Sequence, residues 1–377
     1  MSGAAVVPFA IEVGDEVIDD LHHRLDATRW FEPLPGAGWN EGIDLDYLRE
    51  LCRRWRHEFD WRAVEARLNR FPQYTTEIDG QNIHFVHARS RNPEAQPLVI
   101  HHGWPGSFTE FAKVIDPLRQ HFHVVCPSLP GYGFSGPTSD PGWTPKRMAA
   151  AALELMSRLG YERFGAQGGD WGSTVSSQMA LQAPERLVGI HLNLLIVPEP
   201  PPGAVRDLND EERAHRVDAG ARNRVERGYR EQQATRPQTL SVGLNDSPAG
   251  LAAWIVEKFK AWSDIGPDGS PDECFTTEDL LTNVMVYWVT GTIASANRLY
   301  YETRTGGRGA AAPDRRVEVP TAYARFPGDG IFPARPWAEY WYNIVRWTEM
   351  PRGGHFAALD APDLFTADVV EFFSSLR

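Results

Sequence analysis

Hydrophobic and polar residues follow two different periods over residues 1–90. Apolar positions recur at helical spacing around 17–27 and again through 45–68, and the Pro/Gly-rich segment EPLPGAGWNEG separates the two stretches. The next segment, YTTEIDGQNIHFVHARS, alternates apolar and polar residues on both sides of Asp79-Gly80, which is a strong β-hairpin signal. The pattern predicts an N-terminal helical leader segment over 1–90 that wraps the core, with a hairpin opening the sheet.

Beyond the hairpin, apolar residues come in short unbroken runs, as in strands that are buried on both faces. Segments long enough for helices separate the runs, so we expect an α/β protein with a mostly parallel twisted sheet flanked by helices. One helix is marked by Thr144 as N-cap, Pro145 in its first turn and Gly160 after its end. The predicted strands are residues 98–101, 123–126, 164–166, 188–197, 320–326 and 343–350, and an amphipathic helix follows over 362–376.

A long segment interrupts the alternation of strands and helices. After PEPPPG, residues 199–310 are rich in charge, contain helical stretches and show no clear strand pattern. The segment predicts a helical lid, inserted into a core that consists of residues 91–198 and 311–377. No internal repeat is present in the sequence, which excludes a solenoid.

Composition narrows the classes of function. With 377 residues, 42% of them hydrophobic, the chain can bury a large core, and its formal charge of -12 argues against nucleic acid or an anionic membrane as partner. Cys52, Cys126 and Cys274 are odd in number and far apart, which predicts neither a disulfide framework nor a zinc site. The strongest apolar run, 192–197, is too short to cross a bilayer, and we expect a soluble cytoplasmic protein without metal.

The segment AQGGDWGST, residues 166–174, contains the first candidate site. Gly168 and Gly172 flank Asp170 at the spacing of a nucleophile elbow, a sharp strand-to-helix turn that accepts only small neighbours. Asp is also a preferred N-cap, so the motif alone supports a nucleophile and a cap about equally. No Gly-x-Ser-x-Gly occurs in the chain, so a serine hydrolase would lack its nucleophile.

The segment HHGWPGS, residues 101–107, carries a second signal. It directly follows a predicted strand, at the place where a protein with a nucleophile elbow supplies one backbone N–H to an oxyanion hole. The other N–H comes from the residue after the nucleophile. The expected donors are Trp104 and Trp171, and a plain Pro-Gly turn is the competing interpretation.

A histidine and an acid follow in the order that the chemistry requires. His355 in MPRGGHFAALDAP comes after the last predicted strand, on a loop from which a general base can turn toward the elbow. Asp329 in FPGDGIF follows the strand 320–326 and is the expected carboxylate that orients the histidine. Glu199, after the preceding strand, is the competing acid.

A carboxylate at the elbow implies different chemistry from a serine. An ionised aspartate displaces a leaving group at a saturated carbon and forms an ester, which water activated by histidine then hydrolyses. A halide and the oxygen of a strained epoxide both suit this scheme. An epoxide oxygen needs an acidic hydrogen-bond donor, and the tyrosines of the predicted lid are candidates: Tyr229, Tyr287, Tyr300 and Tyr301.

These motifs together resemble the epoxide hydrolases related to the microsomal and juvenile-hormone enzymes. The likeness covers nearly the whole chain and rests on FDWRAVEARLNRFPQYTTEIDG, HGWPGS, GYGFSG, GGDWGS, YWVTGTIASANRLYYE, FPGD and RGGHFAALDAP. It implies an α/β-hydrolase fold and the cofactor-free hydrolysis of a small epoxide by water to a vicinal diol. It further implies the following roles: Asp170 as nucleophile, His355 as base, Asp329 as its partner, and Tyr300 and Tyr229 as donors, with Tyr301 as the alternative to Tyr300.

Two other functions stay open at the level of sequence. A haloalkane or haloacid dehalogenase would use the same Asp170, hold the halide with the indole of Trp171, and keep its activity without the hydroxyls of Tyr229 and Tyr300. A non-catalytic receptor on a hydrolase fold would bind a small molecule without turnover. The sequence leaves the epoxide, the attacked carbon, the preferred enantiomer, the pathway and the oligomeric state open, a homodimer included.

Overall fold

A mixed sheet of nine strands organises the described part of the chain. The computed structural model describes residues 5–307, 312–330 and 332–376, so the predicted lid boundary at residue 310 lies outside the described residues. The strands are β1 (Val7–Phe9), β2 (Gln73–Ile78), β3 (Gln81–Ala88), β4 (Gln96–His101), β5 (Phe122–Pro127), β6 (Phe164–Gly168), β7 (Leu187–Leu192), β8 (Val317–Arg325) and β9 (Tyr342–Glu349).

The sheet has the order β1-β2-β3-β5-β4-β6-β7-β8-β9. The pairs from β1 to β5 are antiparallel, and all pairs from β5 to β9 are parallel. The mostly parallel sheet expected from the short apolar runs is therefore confirmed. The β2–β3 hairpin is confirmed as well, because Asp79 and Gly80 form its two-residue turn with φ of 53° and 74°.

Helices cover the sheet and fill the long segment between β7 and β8. Nearer the N-terminus they are α1 (Asp15–Asp26), α2 (Leu45–His57), α3 (Trp61–Leu68), α4 (Ile115–Leu118), α5 (Pro145–Arg158) and α6 (Asp170–Gln182). They continue as α7 (Asp210–Glu226), α8 (Gly228–Thr235), α9 (Pro237–Asp246), α10 (Pro248–Ala261), α11 (Thr277–Thr290), α12 (Ile293–Thr305), α13 (Arg335–Trp341), α14 (Ala357–Asp360) and α15 (Pro362–Ser374). No helix within the described ranges is long and apolar enough to cross a membrane.

The structure corrects the sequence pattern at three places. The stretch 45–68 is two helices, because the side chain of Asp60 accepts from the backbone N–H of Ala63 and starts α3 anew. The strand expected over 188–197 ends at Leu192. The short edge strand β1 gave no signal, since three residues are too few to show an alternation.

The leader contacts both the sheet and the predicted lid. Strand β1 pairs with β2 at the sheet edge, whereas α1 packs against α10, and α2 against α10 and α11. Arg24 in α1 reaches the carboxylate of Asp246 at the end of α9, with 2.6 Å between nitrogen and oxygen. The division into leader, core and lid stays a prediction.

The parallel strands bring four loops to one edge of the sheet. The carboxyl ends of neighbouring parallel strands lie side by side, which is where open α/β sheets form their sites. His101 at the end of β4 pairs with Gly168 at the end of β6, and Arg325 at the end of β8 pairs with Glu349 at the end of β9. The segments that follow these strands contain all the predicted triad and oxyanion residues.

Close packing of α6 against β4 depends on Gly172, and this contact is testable. A Cβ on Gly172 would overlap the backbone carbonyl of His101, which cannot move without parting helix and strand. We expect Gly172→Ala to lower the free energy of unfolding by about 1–3 kcal/mol, measured by urea denaturation. Gly243→Ala in α9 is the matched control, since its added methyl group meets nothing within 4 Å and Ala favours a helix. A Gly172→Ala midpoint equal to that of the unchanged protein would contradict this packing.

Candidate active site

Asp170 occupies a strained turn between β6 and α6. Its φ is 47°, in the left-handed region that side chains rarely adopt, at a cost of about 1–3 kcal/mol. The turn needs glycines around it: a Cβ on Gly168 would overlap the backbone of Gly172, and a Cβ on Gly103 would overlap the Asp170 carboxylate. The predicted elbow is therefore present in the backbone geometry, and it holds the carboxylate at the edge of the sheet.

A backbone N–H from the HHGWPGS segment contacts this carboxylate. The amide of Trp104 donates to Oδ1 of Asp170 over 2.8 Å. Trp171 follows Asp170 in the first turn of α6, where backbone N–H groups have no acceptor within the helix. The two predicted oxyanion donors thus flank the same side chain, one of them already hydrogen-bonded to it.

His355 lies between two carboxylates. Its Nε2 is 3.5 Å from Oδ2 of Asp170, and its Nδ1 is 3.2 Å from Oδ2 of Asp329. All three side chains are largely buried, with exposed fractions of 8%, 16% and 7%. The structure therefore brings the predicted nucleophile, base and acid together.

A backbone hydrogen bond from the predicted lid holds the loop that carries His355. The backbone N–H of His355 donates to the carbonyl oxygen of Trp262 over 2.8 Å. A Cβ on Gly354 would overlap that carbonyl, and Gly353 has a φ of 98°. The two glycines before the histidine are thus required by a close approach and by a left-handed turn.

The charges around His355 shift its pKa upward. Burial by itself disfavours the imidazolium, but the negative charges and hydrogen bonds of Asp329 and Asp170 outweigh the lost hydration, so the pKa of His355 lies well above its usual value. The two acidic side chains therefore favour the protonated form of the His355 imidazole.

Two tyrosines enclose the site from the other side. The ring of Tyr229 stacks on the indole of Trp104, with 4.9 Å between centroids and 6° between planes. Tyr300 stands edge-on to Trp171 at 4.9 Å, and the centroids of the two tyrosine rings are 5.8 Å apart. Burial, with the nearby charge of Asp170, raises the pKa of both Tyr229 and Tyr300, so both hydroxyls are neutral donors.

The other candidates lie elsewhere. The hydroxyl of Tyr287 donates to the backbone carbonyl of Gly106 over 2.7 Å. Tyr301 points outward, with 42% of the residue exposed. Glu199 is at the surface and pairs with Arg216 at 3.6 Å. The structure therefore places Tyr300 rather than Tyr301, and Asp329 rather than Glu199, beside the other predicted residues.

The triad and the two tyrosines line one cavity of about 120 Å³. Its wall also contains the apolar side chains of Leu194 and Trp262. In the described chain, no group of three His, Cys, Asp or Glu side chains is arranged to hold a metal ion. The cavity suits a small, mostly apolar molecule that meets a carboxylate at one side and two hydroxyls at the other.

Three residues near the site were not predicted. Trp262 supplies the carbonyl that holds His355, and its ring lies 5.0 Å from the imidazole. The ammonium of Lys258, a residue only 6% exposed, lies 5.1 Å from the ring centroid of Tyr229. Burial raises the pKa of Glu110 to about 8, although the charge of His355 opposes this rise. In the sequence, Glu110 is the single charge in SFTEF, whereas Lys258 is one of three charged residues in the otherwise apolar stretch LAAWIVEKFKAW.

Comparison with known proteins agrees with this geometry. The family described as "Epoxide hydrolase N terminus" matches residues 6–111, and the family described as "alpha/beta hydrolase fold" matches residues 96–251. Epoxide hydrolase 1 of Oryctolagus cuniculus is 38% identical over 98% of this chain and 88% of the relative.

Two solved structures cover nearly the whole chain. The crystal structure of juvenile hormone epoxide hydrolase from the silkworm Bombyx mori has a TM-score of 0.91 and 31% identity, covering 99% of this chain and 95% of that one. The structure of Aspergillus niger epoxide hydrolase has a TM-score of 0.88 and 32% identity, covering 100% of this chain and 98% of that one. This chain has the α/β-hydrolase fold and belongs to the epoxide hydrolase family.

Proposed function

We propose that the protein hydrolyses epoxides to vicinal diols through a covalent ester on Asp170. The observation that carries the proposal is the position of His355 between Asp170 and Asp329, 3.5 Å and 3.2 Å away, in a cavity also lined by Tyr229 and Tyr300. The reactants are a small epoxide and water. The residues supply the nucleophile, the base and the proton donors that this chemistry needs.

In the first step a carboxylate oxygen of Asp170 attacks a ring carbon and the carbon–oxygen bond of the epoxide breaks. Because the N–H of Trp104 already binds Oδ1, we assign the attack to Oδ2 and the later carbonyl oxygen of the ester to Oδ1. The ring oxygen takes its proton from the hydroxyl of Tyr229 or Tyr300. Both hydroxyls are neutral and buried, so each can stabilise the alkoxide as it forms.

The second step follows from the change of charge at Asp170. Esterification removes one of the two carboxylates that raise the pKa of His355, so the imidazolium loses its proton and becomes a base. That proton balances the one given up by the tyrosine. Water, deprotonated by His355, then attacks Cγ of Asp170, and the oxyanion at Oδ1 receives the N–H groups of Trp104 and Trp171. Collapse of this intermediate breaks the bond between Cγ and the alkoxy oxygen, which takes the proton from His355 and leaves as the diol. The new carboxylic acid returns its proton to His355, which restores the starting carboxylate and imidazolium.

The first prediction from the proposed function concerns the charge coupling between Asp170 and His355. Asp170→Asn removes a negative charge as the ester does, so we expect the pKa of His355 to fall relative to the unchanged protein. NMR titration of the histidine side chains measures it, with His355→Gln used to assign the signal. Glu199→Gln, which neutralises a remote surface acid, should leave the titration unchanged. A pKa of His355 that is the same with Asp170→Asn would contradict the coupling.

The second prediction concerns the covalent intermediate. Without its base, the ester should form but not hydrolyse, so His355→Gln is expected to accumulate a protein species heavier by the mass of the epoxide. Steady-state turnover should fall by at least about 100-fold. Intact-protein mass spectrometry gives the adduct, and peptide mapping should locate it on Asp170. The double change His355→Gln with Asp170→Asn is the control, and an adduct on that protein would overturn the assignment of the nucleophile.

The third prediction concerns the leaving group. Tyr229→Phe and Tyr300→Phe should each slow ester formation by about 10- to 100-fold, because the alkoxide then lacks one of its donors. Rapid-quench measurement of the ester over a single turnover reports this step directly. Tyr301→Phe removes an exposed hydroxyl next in sequence and should leave the rate unchanged. An unaltered rate in the double Phe protein, together with halide release from a chloroalkane, would favour a dehalogenase.

A further inference from the structure

Three arginines stand at the mouth of the cavity. Arg222 lies near the end of α7, Arg227 between α7 and α8, and Arg230 in α8, and all three line the cavity that holds the triad. Their side chains are exposed, as expected at an entrance. The three arginines lie within nine residues of one another, in a chain whose formal charge is -12.

The three guanidinium groups form no ion pair within the described residues, although other arginines of the same segment do. Arg213 pairs with Asp210 at 2.6 Å, and Arg216 pairs with Glu199 at 3.6 Å. The only acid among the mouth residues of α7 and α8 is Glu226, and the ammonium of Lys258 lies 3.1 Å from its carboxylate. A carboxylate that binds at the mouth would therefore displace no acidic partner of these three arginines within the described residues.

Arg222 reaches from α7 toward the core. A Cβ built on Gly330, the residue after Asp329, would lie 3.4 Å from Nη1 of Arg222. The guanidinium group thus stands beside the loop that carries the catalytic acid candidate, at the edge of the opening. Asp170 and Arg222 line the same cavity, so a molecule that fills it can contact both residues.

The cavity wall offers an apolar path from the triad to this edge. Leu194 is 3% exposed and Ile196 is 42% exposed, and both line the cavity, so the wall stays apolar from the buried part to the rim. The enclosed volume of about 120 Å³ holds an epoxide ring and its nearest substituents. A longer apolar arm would lie along this wall and end among the arginines.

We propose that the site selects epoxides that carry a carboxylate at the end of an apolar arm, and that Arg222, Arg227 and Arg230 bind the carboxylate. The proposal rests on the proposed function for the ring-opening step. Guanidinium groups bind carboxylates through paired, charge-assisted hydrogen bonds, and an unpaired arginine loses no existing partner when it does so. The apolar wall accounts for the arm between ring and carboxylate.

The test compares terminal epoxy fatty acids of increasing chain length with their primary amides, which match the acids in shape but carry no charge. We expect kcat/KM to favour the acid by about tenfold at the best chain length, through a lower KM, because charge-assisted bonds are stronger than neutral ones. The preference should shrink as salt is added, since these groups are exposed. Equal values for acid and amide at every length would overturn the proposal.

Substitutions of the arginines test which positive charges cause the preference for the acid over the amide. Changing Arg222, Arg227 and Arg230 together to Gln should bring the ratio of acid to amide close to one. The matched control changes three arginines of α7 that do not line the cavity: Arg213→Gln, Arg216→Gln and Arg224→Gln. It alters the net charge by the same amount, and we expect it to leave the ratio of acid to amide unchanged. A ratio that falls as much in the control would assign the preference to overall charge and overturn the subsite.

Two further measurements separate this proposal from the proposed function. Hydrolysis of styrene oxide, which is small and neutral, tests ring opening alone, and its failure together with absence of any ester would contradict the proposed function. Calorimetry with the Asp170→Asn protein compares acid and amide without turnover. Tighter binding of the acid than of the amide would support the arginine subsite even if the ring-opening reaction failed. Equal or weaker binding of the acid would overturn the subsite.

Discussion

The site depends on one buried contact, the imidazole of His355 held between the carboxylates of Asp170 and Asp329. Burying three ionisable groups is costly unless their charges compensate each other, and removing one partner leaves an uncompensated charge. In this contact each carboxyl group faces a nitrogen of the imidazole, and the backbone N–H of Trp104 donates to the other oxygen of Asp170. It also explains why four separate loops must meet at one sheet edge: the acid, base, nucleophile and amide donor follow different strands, and only the parallel register aligns those strand ends.

The proposed nucleophile, Asp170, is held in place by backbone shape more than by side-chain bonds. The left-handed φ of 47° turns Asp170 out of the strand direction, and Gly168, Gly172 and Gly103 give it room. A strained residue persists only if its surroundings over-determine it. Here the close packing of α6 on β4 provides that constraint. The favourable packing energy offsets the strain at Asp170 and keeps its carboxylate in one position.

Much of the fold and of the candidate site could be predicted from the sequence, for a physical reason. Asp170 and His355 lie next to glycines that the backbone requires, and such requirements are local, so they show in a short motif. Strand runs and the Asp79-Gly80 hairpin are local as well. The break before α3 was missed because the side chain of Asp60 forms a cap that the apolar period does not reveal.

The choice among tyrosines, by contrast, is not local. Tyr287 lies in α11 and Tyr300 in α12, and both are buried, at 1% and 4% exposed. They differ in what they meet: the hydroxyl of Tyr287 is bound to the carbonyl of Gly106, whereas Tyr300 lies against Trp171 in the cavity wall. Only the packing of the helices between β7 and β8 against the core decides this, so the tyrosine assignment from sequence rested on resemblance.

One residue, Trp104, links the two halves of the proposed chemistry. Its backbone N–H binds Oδ1 of Asp170, and its indole stacks on Tyr229. The Tyr229 ring also contacts Tyr300, Trp262, whose carbonyl binds the N–H of His355, and the buried ammonium of Lys258. A shift of α8 or α10 would therefore disturb the proton donor, the amide donor and the base at once. Because α8 carries both Tyr229 and Arg230, one of the three arginines at the mouth, we expect a substrate group bound at the mouth to influence how Tyr229 meets the epoxide oxygen in the proposed chemistry.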